Sequence, residues 1–137
     1  MVADRDKRAI VLPVLRLQQL GFEIVATEGT AEVLARNGIQ ATTVKKFSMG
    51  QGGEETIVDL INAGKIDIVV NTPSGHSARA DGLEIRTATV AADKPLFTTI
   101  AVLGAAVGSL EASHEVPRVR SLQDYAADRA ASLAAAE

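Results

Sequence analysis

Short runs of β-branched and apolar residues alternate with longer segments of helical periodicity along almost the whole chain. This alternation is typical of parallel strands joined by crossover helices. The clearest strand is predicted at residues 66–71, an apolar run of the kind that is buried on both faces of a sheet. Further strands are predicted at residues 22–27, 42–46 and 96–99. The sequence therefore predicts an α/β fold with a parallel sheet between helices.

The two ends of the chain carry weaker signals. Residues 1–5 have the character of the end of a strand, so we expect a truncated first strand and a sequence that begins inside a longer protein. Helical spacing follows over residues 6–20, and Pro13 predicts that the regular helix either starts near it or bends there. At the other end, Ser121 suits the N-cap of an Ala-rich terminal helix over residues 121–136. Without a linker or repeat, residues 1–137 are predicted to form one domain.

Composition excludes several classes of function. Hydrophobic residues make up 47% of the 137 residues but aromatic residues only 3%, so the core must be built from Val, Ile, Leu and Ala. A net charge of −3 gives no broad basic face for nucleic acid. The chain has no cysteine and two histidines, which makes a metal site unexpected. No apolar run is long enough for a membrane span, and we expect a cytoplasmic protein.

Polar residues follow the predicted strands at the positions where a ligand would bind. In open parallel sheets, ligands lie beyond the carboxyl ends of the strands. Thr27 and Thr30, with Gly29 between them, follow one strand and open a helix. A phosphate is bound well by short hydroxyls, an approachable backbone and a helix N-terminus. These residues therefore predict a phosphate-binding rim, which Asn71 and the Thr72–Ser74 segment extend after the next clear strand.

Two lysines strengthen this interpretation, although each residue also has a simpler reading. Lys7 and Lys46 are expected at the same rim, where two ammonium groups could converge on one anion; a single lysine is more often a solvated surface charge. Thr27 could serve only to cap the helix, with Gly29 relieving backbone strain. Asn71 could simply hold the turn that follows it. The sequence leaves these alternatives open.

The chain resembles the methylglyoxal-synthase-like (MGS-like) domain, most closely in the version that ends the large subunit of carbamoyl phosphate synthase. The resemblance covers nearly the whole chain, and its motifs are specific only when taken jointly. They are residues 2–7, 20–31 and 69–75, with 79–82 and 85–86 after them. The resemblance implies a three-layer, Rossmann-type sandwich with a five-stranded parallel sheet and helices on both faces.

The same resemblance implies an allosteric domain that binds a nucleoside monophosphate. In bacterial relatives, uridine monophosphate (UMP) acts as an inhibitor and inosine monophosphate (IMP) as an activator. The effector phosphate is expected at residues that this sequence retains, namely Lys7, Thr27, Gly29, Thr30 and Lys46. The ribose or base is expected at Asn71, and we assign Thr72 and Ser74 to the same contact.

The resemblance also implies a larger parent protein. That protein is an ATP-dependent ligase, which makes carbamoyl phosphate from glutamine or ammonia, bicarbonate and ATP for arginine and pyrimidine biosynthesis. The expected partners are the synthetase domains of the same chain and the glutamine-amidotransferase small subunit, and an oligomer is compatible with this. ATP with Mg or Mn belongs to the parent enzyme, so no cofactor is expected in this domain.

Two other functions can be weighed against the regulatory one. Methylglyoxal synthase removes a proton from dihydroxyacetone phosphate, which requires a carboxylate base beside the phosphate. Its pattern has Asp at the positions that Glu54 and Thr72 occupy here, so one carboxylate is longer by a methylene and the other is missing. We therefore expect a non-catalytic domain. A pure interaction module is the remaining alternative, but it leaves Lys7 and Lys46 without a role.

Overall fold

The computed structural model describes residues 1–45, 55–72, 78–113 and 119–134, with the backbone alone at 78–81. The first helical element is a 3-10 helix at Asp4–Asp6. The helices and strands that follow it are α1 Val11–Gln19, β1 Val25–Thr27, α2 Glu28–Arg36, β2 Thr42–Val44, α3 Ile57–Asn62, β3 Val69–Val70, α4 Ala78–Ala91, β4 Leu96–Phe97, α5 Ile100–Ala112 and α6 Leu122–Ala134.

The strands pair in parallel. β1 pairs with β2, with Val25 opposite Thr42, and β3 pairs with β4, with Val69 opposite Leu96. The parallel α/β arrangement predicted from the sequence is confirmed. The described hydrogen bonds join the strands as two pairs, so a continuous five-stranded sheet stays a prediction.

The first three residues lie alongside β3. The Met1 ammonium donates to the Val70 carbonyl over 2.9 Å, and the Thr72 N–H donates to the Met1 carbonyl over 3.2 Å. This is the hydrogen-bond pattern of a parallel pair. The strand-like character expected for residues 1–5 thus extends over the first three residues, and the 3-10 helix begins at Asp4.

The strands separate two hydrophobic cores. One core lies against α1, α2 and α5, and its buried side chains include Leu17, Leu34 and Leu103. The other lies against α3 and α4 and includes Ile61 and Ile85. Helices therefore cover both faces of the strand layer, as predicted.

Neighbouring residues of β1, β3, β4 and the first segment of the chain point into opposite cores, because successive side chains of an extended segment alternate between its faces. The first member of each pair packs against the α3/α4 core and the second against the α1/α2/α5 core. The pairs are Met1 and Val2, Val25 and Ala26, Val69 and Val70, and Leu96 and Phe97.

Local sequence signals explain several helix ends. Pro13 is the third residue of α1, in the first turn, where its missing N–H has no helical acceptor to lose. Thr56 and Asp59 form a capping box at the start of α3, and the hydrogen bonds from Thr56 hold the pKa of the Asp59 carboxyl below its usual value. The Ser121 hydroxyl accepts from the Asp124 N–H over 3.1 Å, so the expected cap of the terminal helix is confirmed.

One predicted boundary is wrong. The polar residues 76–81 predict a loop or short turn, with helical spacing from about Leu83, but α4 begins at Ala78. The first turn of this helix lacks the apolar spacing that marks the rest of it, so the sequence pattern hides its start.

Two further features complete the fold. Arg16 on α1 donates two hydrogen bonds to the Glu111 carboxylate on α5, and these bonds lower the pKa of Glu111. On α6, by contrast, the large apolar side chains Leu122, Tyr125 and Leu133 are exposed. Among the described residues, no helix has the length and apolar character needed to cross a bilayer.

Burial predicts how two leucines of α1 contribute to stability. Leu17 is 6% exposed and Leu12 is 62% exposed. We expect Leu17→Ala to lower the free energy of unfolding by about 2–5 kcal/mol, since it leaves a cavity in the core. Leu12→Ala, the same change in the same helix, should alter it by no more than about 0.5 kcal/mol. Urea denaturation of both variants measures this, and equal losses would contradict the assignment of the core.

Candidate anion-binding site

The N-terminus of α2 carries two buried hydroxyl groups. Thr27 is the N-cap residue, with an extended backbone, yet its side chain makes no capping hydrogen bond. Thr30 lies in the first turn, and both threonines are less than 9% exposed. The first backbone N–H groups of any α-helix lack acceptors within the helix. The start of α2 thus combines N–H groups, hydroxyls and the positive end of the helix dipole.

The ammonium of Lys7 reaches this helix start. The chain turns through the 3-10 helix Asp4–Asp6 immediately before Lys7. A Cβ atom added at Gly29, the second residue of α2, would lie 2.9 Å from Lys7 Nζ. A side chain at this position would require the ammonium, which ends a flexible side chain, to shift. Gly29 therefore lets a cation approach the helix backbone.

A cation in this position is unfavourable by itself. The N-terminus of a helix behaves as about half a positive charge and attracts anions. Lys7 adds a full positive charge there, and its side chain is only 22% exposed. The Asp4 carboxylate partly offsets this charge, at 2.7 Å from Lys7 Nζ. Glu28, in the first turn of α2, adds a second carboxylate near the helix start, so the preference for a further negative group rests on Lys7 and the N-terminal N–H groups.

A second group of polar residues follows β3. Asn71 is fully buried, and its Nδ2 donates to the Gly82 carbonyl over 3.1 Å. Its Oδ1 is a buried acceptor for which the described residues provide no hydrogen-bond donor. Buried polar atoms are nearly always paired. This orphan acceptor is an unusual feature for a residue whose role would be structural alone.

Thr72 has a clear structural contact. Its side chain is buried, and its Oγ1 accepts a hydrogen bond of 2.8 Å from the N–H of Ala3. This bond continues the pairing of the first residues with β3. The hydroxyl can still donate its own proton, but its position is fixed by the fold.

The structure brings together most of the predicted site residues that it describes. Lys7, Gly29, Thr27 and Thr30 meet at the start of α2, and Asn71 and Thr72 follow β3. The pairing of residues 1–3 with β3 links the two groups, because Ala3 contacts Thr72 and lies only four residues before Lys7. Lys46 and Ser74 lie outside the described residues. Their expected contacts therefore stay predictions.

Sequence reasoning did not single out Asp4. Its three-residue spacing from Lys7 could have suggested an ion pair, since residues three apart are neighbours on a helix surface. The helix in question, however, is a 3-10 helix of only three residues, and no periodic pattern marks it.

A groove of about 710 Å³ runs along α2 and β2. Glu28 and Glu32 line it, so its charge disfavours an anion. Within the described ranges, no three His, Asp or Glu side chains are grouped to hold a metal ion.

The parallel strands, the two helical layers and the polar residues beyond the strand ends together define an α/β domain of the three-layer, parallel class. The family model for the MGS-like domain matches residues 9–98. The chain belongs to this family. The resemblance drawn from the sequence is thereby confirmed.

Similar proteins place the chain in a larger context. It is 66% identical over 132 residues to the carbamoyl phosphate synthase large chain of Clavibacter sepedonicus, a match that covers 95% of this chain and 12% of that protein. The large chain of Beutenbergia cavernae is 61% identical over 133 residues, with the same coverage. That of Streptomyces coelicolor is 54% identical over 129 residues, covering 92% of this chain. The chain thus spans 12% of the length of these relatives.

The Thr72–Ala3 contact leads to a prediction about stability. Thr72→Val keeps the shape of the side chain but leaves the buried N–H of Ala3 without its acceptor, which costs about 1–3 kcal/mol. Thr72→Ser retains the hydroxyl and should lose less. Urea denaturation of the two variants compares them directly. If Thr72→Val were as stable as the unmodified chain, the hydrogen bond would not anchor the first residues.

Proposed function

We propose that this domain binds a nucleoside monophosphate through its phosphate at the N-terminus of α2. The observation that carries the proposal is the position of the Lys7 ammonium, 2.9 Å from where a Cβ atom at residue 29 would lie, at the positive end of the helix. Two positive features there favour the same kind of ligand, an anion with several oxygen acceptors. A phosphate has three such oxygens and about two negative charges.

The neighbouring hydroxyls suit the same ligand. Thr27 is free of a capping bond, so its hydroxyl is available to donate to a phosphate oxygen, and Thr30 lies within the same turn. Hydrogen bonds to charged groups are stronger than those between neutral groups. Lys46 is proposed as a second cation from the resemblance.

The nucleoside would lie toward the end of β3. The Oδ1 of Asn71 has no donor among the residues that the structure describes, and a ribose hydroxyl or a base N–H would supply one once the groups that cover Asn71 move aside. Thr72 would take part in such a contact as a donor, because its hydroxyl oxygen already accepts a hydrogen bond from the N–H of Ala3. Ser74 is assigned to the same contact from the resemblance.

We further propose that the domain acts as the allosteric unit of a carbamoyl phosphate synthase large chain. The proposal is supported by relatives of that name at 54–66% identity. It includes a continuous five-stranded sheet, a cytoplasmic location and contacts with the synthetase domains and the glutamine-amidotransferase small subunit. ATP with its metal ion would bind to those other domains, where the ligase reaction takes place.

Calorimetry of the 137-residue chain with UMP, IMP and inorganic phosphate tests the binding proposal. Heat of binding with phosphate as well as with a nucleotide supports a phosphate-centred site. If none of the three bound, the interaction module would become the better account of the domain.

Substitution of Gly29 tests the role of the Lys7 ammonium in this site. In Gly29→Ala, the added Cβ would come within 2.9 Å of Lys7 Nζ and displace the ammonium. We expect nucleotide affinity to fall by up to about tenfold, because the ammonium ends a flexible side chain and can keep part of its contact after it shifts. Stability should rise or stay constant, because alanine favours a helix more than glycine does.

Gly104→Ala is the matched control, since an added Cβ at this helical position meets no atom within 4 Å. It should leave affinity unchanged. A loss of affinity in Gly104→Ala as well, or in neither variant, would count against the role of Lys7. Titration calorimetry and thermal melts together separate binding from folding.

The regulatory proposal also predicts that the domain has no methylglyoxal synthase activity. Thr72 stands where that enzyme carries a carboxylate, and its hydroxyl is held by Ala3. Catalytic groups must be placed to better than about 1 Å, and errors of that size cost about 10²-fold in rate. Incubation of the purified chain with dihydroxyacetone phosphate should yield no methylglyoxal above the enzyme-free rate. Turnover that follows the protein through purification would reverse the assignment.

A further inference from the structure

We propose that Asp4 is an internal counter-anion of the site, which occupies Lys7 in the free protein and lowers its affinity for phosphate. This inference rests on the proposed function and adds a residue that sets the strength of binding. Its basis is the juxtaposition of an exposed carboxylate, an enclosed ammonium and the N-terminus of α2.

The two partners of the ion pair differ in their surroundings. Asp4 Oδ1 lies 2.7 Å from Lys7 Nζ, yet the Asp4 side chain is 94% exposed while that of Lys7 is 22% exposed. The carboxylate thus reaches the ammonium from the solvent side. Ion pairs with a solvent-exposed partner are weak, because water competes for the charge and the side chain loses freedom. The pair between Asp4 and Lys7 is therefore weak in itself.

The position of Lys7 explains why a carboxylate is useful there in the free protein. An ammonium beside the positive end of α2 is electrostatically unfavourable. Asp4 supplies a carboxylate at 2.7 Å from this ammonium, in addition to that of Glu28 in the first turn of α2, and so stands in for part of the ligand. Asp4 is three residues from Lys7 across the 3-10 helix. The carboxylate is therefore held close to the ammonium by the local fold.

An incoming phosphate meets this carboxylate. Lys7 has three N–H donors and can contact both anions at once, but the carboxylate and the phosphate then lie within a few ångströms of each other. If the phosphate instead displaces Asp4, the ion pair is lost. In both cases Asp4 opposes binding, so its removal should strengthen binding.

The chain contains a matched control pair. Asp67 and Lys94 also form an ion pair, at 3.5 Å, with an exposed carboxylate (80%) and a more enclosed lysine (27%). Asp67 precedes β3, at the amino end of the strand, whereas the proposed site lies beyond the carboxyl ends. Asp67→Asn therefore changes the net charge as Asp4→Asn does, but far from the phosphate.

Calorimetric titration with inorganic phosphate and with UMP tests the inference on the unmodified 137-residue chain, Asp4→Asn, Asp67→Asn and Asp4→Glu. We expect Asp4→Asn to bind both ligands about three- to tenfold more tightly at low ionic strength, as removal of a nearby like charge should allow. The gain should shrink as salt screens the charges. Asp67→Asn and the charge-retaining Asp4→Glu should show no comparable gain.

The possible results separate the two proposals. Unchanged or weaker binding by Asp4→Asn, while the unmodified chain binds phosphate, would overturn the role of Asp4 and leave the site intact. Equal gains in Asp4→Asn and Asp67→Asn would assign the effect to net charge and overturn it too. If neither the unmodified chain nor any variant bound phosphate or UMP, the proposal of a phosphate site would be refuted, and so would the proposed role of Asp4. Thermal melts show that each variant is folded.

Discussion

The hydrogen bonds that join residues 1–3 to β3 set the position of the candidate site. They place Ala3 against Thr72, and the 3-10 helix that follows can then deliver Lys7 to the start of α2. The site is thus assembled from segments that are distant in sequence but share one layer of the fold. A change in this pairing would move the ammonium relative to the helix that it faces, which makes the first residues part of the binding geometry.

Electrostatics and space act together at α2. A helix N-terminus alone is a weak indicator of function, since every helix has one. Here the absence of a side chain at Gly29 admits a cation to the place where a cation is least expected. The unpaired oxygen of Asn71 is a second departure from ordinary packing. Natural proteins keep such local conflicts mainly where a ligand resolves them, and this supports a binding role over a purely structural one.

The sequence predicted the features that depend on local periodicity. The alternation of apolar runs and helical segments indicated the parallel α/β fold, and Thr27, Gly29 and Thr30 indicated a helix start with polar groups. Contacts over long sequence separations left no such pattern: the Ala3–Thr72 bond joins residues 69 positions apart. The early start of α4 was missed because its first turn has no apolar stripe. The role of Asp4 could not be predicted because it depends on where Lys7 points.

The alternation of strand side chains between the two cores has a consequence for unfolding. Val69 and Val70 are adjacent along the backbone, yet they belong to different hydrophobic clusters. Loss of the helical layer on one face therefore exposes alternate side chains of β1, β3 and β4, and it weakens the backbone pairing on which the other face depends. The two layers are coupled through β1, β3 and β4, so the domain should melt as one cooperative unit and not layer by layer.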